Sequence, residues 1–222
     1  MFRLRERTMK TKEEIKKSSK NFKIFLSICA ALVITGKILY IIGITIPNFS
    51  IVIPALVVIG AFKMPFRADE NEAKTTKYIG IAALSTLFIF DLLIWGFQAI
   101  YLFTWPSFTL IWFLASRKKL SFTDKFSKTT IEATFTTAIL ILLYDVITAF
   151  GTWLLWGSIT TNSLVNVYIA QIPFTLYHLS SLIFVPALIV LGKALTTVKA
   201  ETSEPIKNIL ANNLKAKIGN RR

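Results

Sequence analysis

The chain has 222 residues, of which 54% are hydrophobic, and a formal net charge of +14. Soluble domains sit nearer 45–50% apolar, and several runs here are too long and too uncharged for a soluble core. That excludes an ordinary soluble enzyme. The lack of period-2 alternation excludes a β-barrel, and a single cysteine, Cys29, excludes a disulfide framework or a zinc finger. The expected class is an all-α integral membrane protein.

Residues 1–23 form a basic N-terminal segment, in which Thr11 with Glu14 fits a capping box for a short surface helix. Residues 24–195 form the membrane domain. Its first apolar run, Ile24 to Ile46, exceeds the core of a signal peptide and is read as span 1. Span 2 is short, Phe49 to Phe62, and starts just after Pro47-Asn48. Met64 to Lys77 is a charged loop. Tyr78 to Ser116 is long enough for two spans, with a break near Gly96 to Gln98 or near Trp105-Pro106. A second charged loop covers Arg117 to Lys128. Span 5 runs from about Ile131 to Trp156, and span 6 from about Asn166 to Leu195. Residues 196–222 form a basic tail. Ser203-Glu204-Pro205 would start a helix there, with Ile206, Leu210, Leu214 and Ile218 on one face as in membrane-surface helices.

Basic residues give the expected topology. Nine precede span 1, four lie between spans 2 and 3, five between spans 4 and 5, and seven follow Leu191. None lies in the links after spans 1, 3 or 5, and Lys37 alone falls inside a span. The positive-inside rule then predicts six transmembrane helices with the N and C termini cytoplasmic. It accounts for the basic surplus without nucleic acid as a partner. A short echo, FIFDLLIWGF against LLYDVITAFG and TWPSFTL against QIPFTLY, pairs Asp91 with Asp145 and Pro106 with Pro173. Such an echo would be a parallel repeat.

Ionisable groups within apolar runs are costly and usually face a protein interior or a wet cavity. Lys37, Asp91, Glu132, Asp145 and His178 are of this kind, with Glu132 near the charged end of its span. Gln171, Thr175 and His178 follow one another at i, i+4 and i+7, so a helix puts them on one face. Two readings stand: a Lys37–Asp ion pair that fixes packing, or a ligand site at Asp91, Asp145 or His178. Ser27, Ala31 and Thr35 place a small residue at every fourth position, which lets a helix approach closely, inside the protein or from a second subunit. Trp95, Trp105, Trp153 and Trp156 fall toward the outer ends of their spans. They fit an interfacial belt or a wall over a pocket. No phosphate-binding loop, HExxH helix or GxSxG elbow is present. The lone histidine lacks a neighbouring metal ligand, and Ser180 and Ser181 are poorly placed for it to activate. No catalytic chemistry and no cofactor is expected.

The pair of segments YDVITAFGTWLLWG and QIPFTLYHLSSLIF, with WPSFTLIWFLAS before them, resembles the substrate-binding S component of energy-coupling-factor (ECF) transporters. The resemblance implies a multi-pass protein of the cell membrane that captures a vitamin-like micronutrient from outside. It implies partners as well: a transmembrane T component and two ATPase subunits, which hydrolyse the ATP. It implies a pocket lined by Asp145, Gln171, Thr175 and His178, with Asp91 across the bundle and Trp105, Trp153 and Trp156 stacking on a planar ring. Docking onto the T component would use Ser27, Ala31 and Thr35.

Overall fold

A computed structural model describes residues 2–41, 51–63 and 70–196. The tail helix expected after Val198, the Pro47-Asn48 turn and the first half of the Met64–Lys77 loop lie outside the described residues. The described chain is helical: α1 (Phe2–Ile41), α2 (Val52–Ala61), α3 (Glu70–Trp95), α4 (Tyr101–Arg117), α5 (Phe126–Trp156), α6 (Thr161–Ser180), a 3-10 turn (Ser181–Ile183) and α7 (Phe184–Thr196). Four helical stretches are long and apolar enough to cross a membrane: Lys17–Leu39, Lys77–Trp95, Phe126–Trp156 and Thr161–Thr196. α2 and α4 are shorter than the roughly 20 residues that a full crossing needs.

One element is at the centre. Every residue of α2 is buried, as a helix apolar on all sides requires. Pro54 falls in its first turn, where a missing N–H costs nothing. α1, α3, α4, α5 and α7 all pack against it. Gly60 lets α4 approach closely: a Cβ there would stand 2.9 Å from the Ala115 Cβ and the Trp112 carbonyl of α4.

The end of the bundle that carries the basic loops is closed by aromatic rings. Phe122 stacks on Phe62 with centroids 4.2 Å apart and meets Phe25 edge-on at 5.1 Å and Phe22 at 6.2 Å. All four are buried. Gly192 of α7 presses against the Phe122 ring with no room for a side chain between. Hydrogen bonds join the chain across this end: Lys63 N–H to the Leu120 carbonyl at 2.9 Å, Leu120 N–H to the Ala61 carbonyl at 3.0 Å, and the Asn21 amide to the Leu195 carbonyl at 2.8 Å. The Lys63 ammonium donates to the Gly60 carbonyl at 2.8 Å, and burial lowers its pKa.

At the far end, α3 stops at Trp95 because Gly96 turns the chain at φ +65°, with its N–H on the Leu92 carbonyl at 3.0 Å. The expected break between spans 3 and 4 falls there. One expectation changes. Helix α1 runs through Thr11 without interruption, so no helix begins at that position. The last span is not one regular helix. Pro186 has no N–H to offer the Leu182 carbonyl, and just before it the chain takes a 3-10 turn over Ser181–Ile183.

The surface is apolar where a bilayer would touch it. On α5, Ile131, Phe135, Ile139, Leu142, Val146, Phe150 and Leu154 recur at three- and four-residue spacing, each at least 42% exposed. An unbroken exposed apolar stripe of this length marks a lipid-facing helix.

Candidate functional site

Helix α6 has no buried residue, and its main neighbour is α5. Apolar contact gives little net drive between helices in lipid, whose tails are equally apolar. Polar groups tie α6 down instead, at four points along its length. The Trp153 indole N–H donates to Ser163 Oγ at 2.9 Å, the Tyr168 hydroxyl to the Val146 carbonyl at 3.2 Å, and the Gln171 amide to Asp145 Oδ1 at 3.3 Å. His178 Nδ1 meets the same Oδ1 at 2.6 Å. Thr160 caps the start of α6 by accepting the Ser163 N–H at 3.2 Å.

Asp145 is the focus of this seam. It is 2% exposed. Its Oδ1 takes both donors from α6, and its Oδ2 is buried with no hydrogen-bond partner among the described residues. Buried carboxylate oxygens are rarely left so. The His178 ring stands edge-on to Tyr144 and Tyr177, with centroids 5.7 and 5.4 Å away, which fixes its orientation.

A groove of about 150 Å³ adjoins the acid, lined by Leu142, Asp145, Val146, Tyr168, Gln171, Ile172, Thr175 and Leu176. It opens on the side of the bundle, among exposed apolar side chains midway along α5 and α6. A larger groove of about 580 Å³ runs along α4 past Tyr101, Trp105, Pro106 and Phe113, and no charged side chain lines it.

The sequence-derived residues thus fall into separate groups. Asp145, Gln171, Thr175 and His178 come together. Asp91 belongs to a second cluster: its Oδ1 pairs with the Lys37 ammonium of α1, and its Oδ2 accepts the Trp105 N–H of α4 at 3.2 Å. Trp105 is stacked between Phe88 and Tyr101, at 5.0 and 4.9 Å. Trp153 is spent on Ser163, and Trp156 is 65% exposed. None of the three tryptophans lines the groove beside Asp145. Ser27, Ala31 and Thr35 are exposed on the outer face of α1, while Cys29 on the opposite face is buried in the core. Sequence reasoning missed Tyr168. It lies three residues before Gln171, so extending the stripe by one turn would have found it.

Comparison with known proteins finds no matching family, no similar curated protein and no similar solved structure.

Proposed function

We propose that the chain is the substrate-binding membrane subunit of an ECF-type importer, a multi-pass protein of the cell membrane with six crossings and both termini cytoplasmic. It captures a small micronutrient and passes it on with a T component and two ATPase subunits. The observation that carries this reading is Asp145: an acid buried midway along a lipid-facing helix, with one oxygen unpartnered beside a groove. Keeping such a group in a membrane costs several kcal/mol, roughly 2.5–3.5 on an insertion scale. A ligand that completes its hydrogen bonding offsets that cost.

Three further features support the reading. The aromatic cluster at Phe122 fills the end that carries the basic loops, so delivery past it would need an outside drive. The exposed Ser27, Ala31 and Thr35 stripe leaves a smooth helix face for a membrane partner. In this reading the short helices α2 and α4 return the chain between the longer spans, as basic loops on one side require.

A second reading, a structural or assembly subunit of a membrane complex, is favoured by the Lys37–Asp91 pair, which links α1 to α3 as a packing device would. Affinity purification of the tagged chain from its native membrane separates the two. The importer reading expects an ATPase pair and a T component in the eluate, and a small molecule whose retention needs Asp145. Partners without ATPases, and an Asp145→Ala variant changed in thermal stability alone, would favour the structural reading.

A further inference from the structure

The importer reading leaves the solute's chemistry open, and the groove at Asp145 narrows it. Building on that reading, we propose that the site takes an organic ammonium group carried on an apolar body.

The polar atoms decide the head. Asp145 Oδ1 already accepts from His178 and Gln171, so the acid's remaining capacity lies at Oδ2. An ionised carboxylate can only accept, so its partner must be a donor. No lysine or arginine lines the groove, and Lys37, the cation inside a membrane run, is paired with Asp91. His178 is committed to Oδ1, so an anionic ligand would meet the bare Oδ2 with no donor to receive it. An N–H-bearing cation would gain a charge-assisted bond in a place shielded from water. The Tyr168 hydroxyl donates to the Val146 carbonyl, which leaves its oxygen lone pairs free to accept a second N–H.

The dimensions decide the body. Pockets that enclose whole ligands run to roughly 300–1,000 Å³, and this groove holds about 150 Å³. It has room for a head of a few atoms only. The rim is Leu142, Val146, Ile172 and Leu176, all 46–63% exposed and apolar. The remainder of the ligand lies along that rim, on the lipid-facing side. Two sources share this chemistry: a free amphiphilic amine dissolved in the bilayer, and the headgroup of an aminolipid.

The test uses the full chain in phosphatidylcholine nanodiscs. Binding of 2-phenylethylamine is measured by saturation-transfer NMR against 2-phenylethanol, which matches it in size, and phenylacetate, which is one heavy atom larger. The ammonium should bind at least about tenfold more tightly than the alcohol, as one charge-assisted bond provides, and the carboxylate should not bind. Asp145→Asn should abolish the preference. So should Leu142→Trp, which fills the groove from the exposed rim and leaves the Asp145–His178 contact intact. Nanodiscs containing phosphatidylethanolamine distinguish the sources: competition with the amine makes the aminolipid the occupant, and its absence makes it the free amine. Equal binding of amine and alcohol, or a preference that survives both variants, overturns the assignment. A retained, Asp145-dependent solute that lacks an amine would overturn the assignment yet leave the importer reading standing. No Asp145-dependent ligand of any kind would overturn both.

Discussion

Asp145 of α5 and His178 of α6 meet at 2.6 Å, Oδ1 against Nδ1, across 33 positions of chain. The contact is asymmetric. The acid's side chain is 3% exposed and the imidazole's 21%. Removing the histidine leaves a carboxylate buried and uncompensated, which costs about 3 kcal/mol or more. Asp145→Asn keeps an amide oxygen in place of the carboxylate, and the loss is that of one weakened polar contact in a membrane, about 1–2 kcal/mol. His178→Leu should therefore destabilise the protein more than Asp145→Asn in reversible unfolding from mixed micelles. Equal losses would contradict this asymmetry.

The Lys37–Asp91 pair should behave as a packing device. Lys37→Met leaves Asp91 with the Trp105 N–H alone and should cost about 3 kcal/mol. The double variant Lys37→Met/Asp91→Leu removes both charges and should return to within about 1 kcal/mol of the parent. Additive losses in thermal unfolding would contradict the pairing.

Gly192 holds its place through the ring of Phe122, which Phe22, Phe25 and Phe62 box in. The ring has nowhere to move. Gly192→Val should overpack this end by about 1–3 kcal/mol, and Phe122→Leu added to Gly192→Ala should recover part of the loss. Melting temperatures of the four proteins check both statements.

The α1 stripe should be separable from the groove. Ala31 is exposed, so Ala31→Trp should leave the melting temperature unchanged within a degree or two, while it weakens co-purification of the membrane partner severalfold. Undiminished co-purification would place docking elsewhere.

Much of this arrangement can be read from the chain, and the parts that cannot have physical causes. The Gly96 break is local: a glycine flanked by apolar runs supplies the left-handed turn on its own. The Gln171, Thr175 and His178 stripe is also local, because helical periodicity fixes which residues share a face. Which acid the stripe would meet is not local. Asp91 and Asp145 look alike in sequence, each in a short echo of the other, and only the packing of α1 against α3 gives Asp91 to Lys37. The tryptophans were ambiguous for the same reason, since their N–H partners, Asp91 and Ser163, lie on other helices or across a turn. The 3-10 turn in the last span precedes Pro186, and a proline inside a membrane helix can kink it or be absorbed by its neighbours. The sideways opening of the groove depends on α6 resting on α5 without burying a single residue, which no periodicity reveals.

Native mass spectrometry of the detergent-purified chain, run on the parent and on Asp145→Asn side by side, tests most directly whether Asp145 is there to hold a ligand. The account predicts an adduct of one defined small mass on the parent and its disappearance from the variant, with both proteins folded. The same spectrum from the two proteins, bare or with the same adduct, would contradict it.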